Sequence, residues 1–274
     1  MVTEIDIARF DPALKILSIT ELTEGWDRDV SLFNTDKGKL VVKKGKKDKS
    51  STYNELRAKA LITDKTLPIP QILYNDNEII IETYAEGHTI TDKEPPSVYK
   101  HLGESVKKIN SIKTVGFGFF KDVGVGQFEN EKDAMLNYVD IYHPTFKTHP
   151  MLQHLDIPYI VNKHINIFDN KVSVLTHSDL HLGNILVNDN KITGLTDFGD
   201  ASAGPPERDI AKFYVNIGNN KAWDSFLEGY GKDFDERKFM YYSFLLNIKT
   251  VSWGHVKEGT EMHENFLKLV KYFT

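Results

Sequence analysis

Apolar positions recur along the chain with two different periods. Leu102, Val106, Ile109 and Ile112 return at helical spacing and predict an amphipathic helix over 98–112. Weaker patterns predict helices over 134–142 and 158–167. The last third reads as helices over 208–217, 222–230, 237–251 and 261–273, with apolar stripes that are core by default. Within and beside them, Phe239, Tyr241, Tyr242, Phe244 and Trp253 read as packing. The first third looks different. Apolar runs at 39–43 and 78–84 predict strands, separated by a helix over about 52–62. Leu67-Pro68-Ile69-Pro70 ends that helix and leads into a strand, and Glu86-Gly87 breaks the run at 78–84. Further on, Asn184–Val187 and Lys191–Thr196 predict a hairpin around the turn signal Asn188-Asp189-Asn190. The order is α+β, strand-rich first and mainly helical afterwards.

Composition narrows the classes. The chain has 274 residues, 40% of them hydrophobic, enough for a core divided over two units. A net charge of −5 gives no broad basic surface for nucleic acid. The absence of cysteine excludes disulfides, zinc fingers and thiol catalysis. Glu4, Asp6, Arg9 and Asp11 argue against a signal peptide, and no apolar run of ~20 residues predicts a membrane span. A cytoplasmic enzyme is expected; oligomeric state is left open.

The chemistry concentrates at His177-Ser178-Asp179-Leu180-His181-Leu182-Gly183-Asn184, followed by Asp197-Phe198-Gly199. The hairpin would pair Asn184 near Gly194 and bring Asp197 out beside the loop that carries Asp179. Two close carboxylates repel unless a cation neutralises them. Mg²⁺, a hard ion that takes oxygen ligands and shares them with phosphates, suits that arrangement. Protein kinases carry H-R-D-L-x-x-x-N and then D-F-G; only the Arg is replaced here, by Ser178. In phosphoryl transfer Asp179 would accept the proton of the attacking hydroxyl, and Asn184 and Asp197 would hold the metal. His177 and His181 fall in a loop with no third ligand nearby, so His177 reads as a brace for the loop.

Upstream, Lys39–Lys43 resembles the kinase strand ending in a phosphate-binding Lys. Neighbouring strand residues face opposite ways, so either Lys43 or Lys44 points inward; Lys43 is preferred. Glu55 would orient that lysine. Alternatively, Thr52-Tyr53-Asn54-Glu55 is a capping box and Glu55 closes a helix start.

Residues 177–213 resemble the aminoglycoside phosphotransferase and choline kinase-like family of small-molecule kinases. The family pattern H-x-D-x-x-x-x-N, I-D-[FW]-x-x-A and D-x-A is matched by His177 to Asn184, Asp197 to Ala201 and Asp209-Ile210-Ala211. Gly25-Trp26 and Val30 resemble its G-W-x-x-x-V. The resemblance implies a protein-kinase-like two-lobed fold, with a β-rich nucleotide lobe over 1–86 and a mainly helical catalytic lobe over 87–274. It also implies ATP or GTP, Mg²⁺ and a hydroxyl on a small molecule. Backbone groups near Glu82 and Tyr84 would contact the purine at the hinge. Asp209, an acid that suits a helix start, would in the family also buttress the catalytic loop.

Pro206-Glu207 follows Gly199 too closely for a protein-kinase activation segment, which disfavours a protein Ser/Thr kinase. A catalytically silent nucleotide-binding relative would have no need of Asp179, Asn184 and Asp197 together. Gly116, Gly118, Gly124 and Gly126 read as a flexible loop near the substrate. The acids Asp224, Glu228, Asp233, Asp235, Glu236, Glu258, Glu261 and Glu264 suggest a cationic acceptor such as an aminoglycoside, amino sugar or amino alcohol; equally, they are a solvated face.

Overall fold

A computed structural model describes residues 2–24, 28–46, 50–76, 78–218, 220–252, 259 and 261–274. The Gly25-Trp26-Asp27 part of the first motif and Trp253 lie outside them.

The first lobe opens with a short helix, α1 (Glu4–Ala8), and three antiparallel strands, β1 (Ile16–Glu24), β2 (Arg28–Thr35) and β3 (Gly38–Gly45). Helix α2 (Ser50–Ala60) crosses to β4 (Ile72–Asn75) and β5 (Ile79–Thr83). The sheet order is β1-β2-β3-β5-β4. Strand alternation sorts its residues: Phe33, Val42, Ile79 and Ile81 form a small core with Val2 and Ile7. Val42 and Lys43 therefore face opposite ways. Lys44 shares the Val42 side and reaches Asp6 at the N-terminal helix, 2.9 Å away. Lys43 turns to the other side, towards α2.

Next come β6 (His88–Thr89) and α3 (Pro96–Ile109), where Pro96 occupies the first helical turn. The predicted stripe is buried at Val98, Leu102, Val106 and Ile109. Strands β7 (Lys113–Thr114), β8 (Phe117–Asp122) and β9 (Val125–Phe128) follow, then α4 (Glu131–Thr148) and α5 (Ile157–Lys163). Gly118, Gly124 and Gly126 thus belong to the β8–β9 hairpin, and Gly116 directly precedes it. Gly116, Gly118 and Gly124 take φ of 69°, 87° and 73°, the left-handed region that side chains disfavour. Helix α4 is longer than its apolar pattern suggests. Asn130 caps it by accepting from Asp133 N, and it continues past Pro144 to bury Phe146.

The remaining elements are β10 (Ser173–Thr176), the hairpin strands β11 (Ile185–Asn188) and β12 (Lys191–Leu195), β13 (Ser202–Gly204), and helices α6 (Glu207–Ile217), α7 (Lys221–Tyr230), α8 (Glu236–Ser252) and α9 (Glu261–Phe273). One sheet runs β7-β10-β13-β8-β9 and another β12-β11-β6. Phe239, Tyr241, Tyr242 and Phe244 are buried, as packing residues should be. Tyr241, for example, sits edge-on to Phe273 with ring centroids 4.7 Å apart. The result is a protein-kinase-like α+β fold with a β-rich first lobe and a helical second lobe.

Candidate active site

The loop that carries Asp179 runs into the β11–β12 hairpin. Asp189 and Asn190 both have positive φ, 49° and 58°, which makes a two-residue turn of the kind that suits hairpin twist. The register then pairs Leu186 with Gly194 and Ile185 with Leu195. Asn184 therefore stands opposite Thr196, whose N–H donates to its carbonyl at 2.9 Å, and not opposite Gly194 as expected. The turn is tighter than three residues, and a bulge between Leu186 and Val187 takes up one more. Asp197 still emerges next to Asn184.

Asp179 is held from several directions. Its carboxylate meets Lys212 Nζ of α6 at 2.9 Å and His181 Nε2 at 3.4 Å. Asn184 Nδ2 donates to its Oδ2 at 3.2 Å and to its backbone carbonyl at 3.0 Å. Burial alone would raise the Asp179 pKa, but His181 and Lys212 hold it far below the usual carboxylate range.

That shift has a consequence for acid stability. A depressed folded-state pKa contributes stability above the unfolded value of about 3.9, and that contribution is lost as pH falls through it. The stability difference between wild type and Asp179→Asn should shrink as pH falls below about 4. Denaturant titrations at a series of pH values measure it. A difference that closes between about pH 5 and about pH 7 would place the titration on another group.

The loop backbone needs support because Ser178 is strained at φ 66°. Asp209, wholly buried, accepts from the N–H groups of His177 and Ser178 at 2.9 and 2.7 Å and from Asn110 Nδ2 at 2.9 Å. Three hydrogen bonds to one carboxylate satisfy its charge and hold the loop in place. His177 Nε2 lies 2.9 Å from the Thr196 carbonyl, the bracing role its position suggests.

On the first lobe, Lys43 Nζ meets Glu55 at 2.8 Å and Glu82 at 2.7 Å. Glu55 does not close a capping box: α2 starts at Ser50, and its carboxylate also takes Arg28 and Lys59. Burial would raise the Glu55 pKa, but Lys43, Lys59 and Arg28 keep it well below its ordinary value. Burial likewise opposes the Lys43 charge, and Glu55 with Glu82 outweighs it, so its pKa rises. Glu82 enters by its side chain. Its backbone is opposite Val41 on β3 and Ile72 on β4, within the sheet. Tyr84 is the first residue past the β5 ladder, and its ring faces Lys39 Nζ at 5.1 Å.

Arg28 is the residue that motif reading passed over. Its guanidinium bridges the two lobes, pairing with Glu55 and with Asp197. Asp197 itself has φ 61° and remains half exposed, 51% at the side chain. Its carboxylate and the side chain of Asn184, whose amide nitrogen is turned towards Asp179, offer oxygen donors only. That chemistry fits Mg²⁺. A larger cavity, about 510 Å³ between α2 and β4, includes Lys59 but none of Asp179, Asn184 and Asp197.

A family model described as "Phosphotransferase enzyme family" matches residues 18–242. No curated protein matches the sequence. Among similar solved structures, aminoglycoside phosphotransferase APH(4)-Ia has 17% identity and a TM-score of 0.72, covering 99% of this chain and 98% of that one. A thermostable mutant of the same enzyme, in a ternary complex with AMP-PNP and hygromycin B, gives 0.74 at 17% identity, covering 99% and 98%. The streptomycin–ATP–APH(2")-IIa ternary complex gives 0.68 at 21% identity, covering 98% and 95%. These likenesses establish the shared fold. The family match extends from β1 into α8 and includes Lys43, Glu55, the catalytic loop, Asp197 and Asp209, and by it the chain belongs to the APH phosphotransferase enzyme family.

Proposed function

We propose that this phosphotransferase moves the γ-phosphoryl group of ATP or GTP to a hydroxyl of a small polar acceptor in the cytoplasm, where both nucleotides are available. The observation that carries the reading is Asp179, kept ionised beside Asn184 on a loop that Asp209 fixes. The acceptor oxygen bonds to the γ-phosphorus, the bond from that phosphorus to the β–γ bridging oxygen breaks, and the nucleoside diphosphate leaves with its electron pair. The acceptor proton passes to Asp179. Lys43, positioned by Glu55 and Glu82, binds the α- and β-phosphates, and the backbone past β5 at Tyr84 receives the purine. Asn184 and Asp197 would hold Mg²⁺, which supplies charge neutralisation at the phosphates. The nucleotide lies between lobes of residues 1–86 and 87–274.

Asp197→Ala is expected to abolish Mg²⁺-dependent nucleotide binding, because it removes the charged oxygen ligand. Calorimetry showing unchanged affinity for Mg·nucleotide would remove Asp197 from the metal site.

Structural neighbours are complexed with hygromycin B and streptomycin, which supports a small-molecule hydroxyl acceptor by analogy. The charge argument from the sequence is weaker. Asp224, Glu228, Asp233, Asp235, Glu236 and Glu264 are exposed, and none of them lines the cavity beside Asp200. The side chains of Glu258 and Glu261 lie outside the described residues. A phosphorylation screen with both nucleotides over amino sugars, amino alcohols and neutral hydroxyl compounds tests the activity. Failure to phosphorylate any hydroxyl, with Mg·nucleotide bound, would favour a silent binding protein.

A further inference from the structure

Next to the catalytic loop is a cavity of about 150 Å³ whose lining is mostly apolar. Phe117, Phe119 and Phe128 of the β8–β9 hairpin, Tyr138 and Tyr142 of α4, and Leu246 of α8 contribute to it. Its lining does not include Asp179, Asn184 or Asp197 themselves; it approaches them through Asp200, in the turn that follows Asp197, and through Ser202. The Ser202 hydroxyl is 2.8 Å from that of Ser178, next to Asp179. An apolar cavity of roughly this size holds one benzene ring. A multi-ring amino sugar exceeds it.

Most polar groups in the wall are paired. Lys249 approaches Asp200 at 3.8 Å and the Tyr142 ring at 5.1 Å. Glu131 accepts from the Tyr242 hydroxyl at 2.9 Å and from Asn170 N at 3.1 Å. Two groups differ. The Tyr138 hydroxyl is buried and, among the described residues, has no hydrogen-bonding partner. Burial pushes its pKa up, so it stays a neutral donor. Leaving a buried polar group alone is costly, and a ligand acceptor atom would recover that cost. The Arg208 guanidinium lies 5.9 Å over the Tyr138 ring and, among the described residues, makes no ion pair with a carboxylate, acting on Asp200 only at longer range. A half-buried guanidinium beside an aromatic wall suits a planar anion, which it can grip with two parallel hydrogen bonds.

We propose that the acceptor is a monocyclic aromatic compound that bears, besides the hydroxyl to be phosphorylated, a carboxylate-like anionic group paired with Arg208 and an acceptor atom bonded by the Tyr138 hydroxyl. The fate of that hydroxyl rests on the phosphotransferase reading; the ring and the anion are read from this cavity. Asp200 and Glu131 also line the cavity, but Lys249 faces the first and Lys238 with Tyr242 the second, so a polycationic sugar would meet in Arg208 a cation without a close carboxylate among the described residues.

Calorimetry on the full chain tests this with hydroxybenzoates and hydroxyphenylacetates, their neutral carboxamide counterparts, and gentamicin. The carboxylates should bind at least about tenfold more tightly than the carboxamides. Arg208→Gln should erase that preference, and Tyr138→Phe should weaken both classes by about threefold. Mg·ATP affinity of the same proteins reports that the variants fold. It also separates the two ideas: a wild type that binds no Mg·ATP refutes the phosphotransferase reading, while ring binding still decides the cavity. The proposal is overturned if gentamicin binds and the aromatic acids do not, if none of the compounds binds, or if Arg208→Gln alters carboxylate and carboxamide alike.

Discussion

Asp179→Asn should lower kcat by roughly 10²–10⁴, the range for loss of a general base, and leave Mg·nucleotide affinity unchanged. The asparagine keeps the shape and can still receive the Asn184 amide, but it cannot take a proton and no longer balances Lys212. The low pKa of Asp179 places the loss towards the lower end of that range. A carboxylate held so strongly by Lys212 and His181 is a weak base, so much of its contribution is in orienting the hydroxyl. Steady-state kinetics with any accepted hydroxyl compound measures this, and a variant with near wild-type turnover would rule out Asp179 as the proton acceptor.

Lys43→Met should be far more destabilising than Lys44→Met, its neighbour on β3. Lys43 is buried between Glu55 and Glu82, and its loss leaves two buried carboxylates with fewer counter-charges. Breaking a buried pair from one side typically costs about 3–5 kcal/mol. Arg28 and Lys59 remain on Glu55, and Lys59 on Glu82, which argues for the lower part of that range. Nucleotide affinity should fall as well. Lys44→Met should do less to both, because Lys44 is partly exposed and pairs with Asp6 on the far side of the sheet. Denaturant unfolding and nucleotide titration of the two variants decide the matter; equal effects would mean that the buried network does not depend on Lys43.

Much of this was legible in the chain itself, for a physical reason. Asp179, Asn184 and Asp197 lie on one loop and one hairpin, so short-range turn chemistry is enough to bring them together. Helices α6 and α7 were equally readable, since amphipathic periodicity is a local property and each buries the stripe that its sequence displays, whereas α8 is buried nearly all round. Strand parity limited the inward lysine to one of two, and the register of β3 against β5, with α1 placing Asp6 beside Lys44, selected Lys43. The tertiary structure alone decided the contacts between distant segments. Arg28 reaches Asp197 and Lys212 reaches Asp179 only because the lobes and α6 fold back on the loop, and no periodicity encodes such a meeting. Likewise the acids of α7 and the start of α8 form a charge run in sequence, yet helix packing turns them to solvent and lines the cavity with aromatic rings, Arg208 and Lys249. Local pattern determined which residues could do the chemistry; long-range packing determined which charges stand beside them.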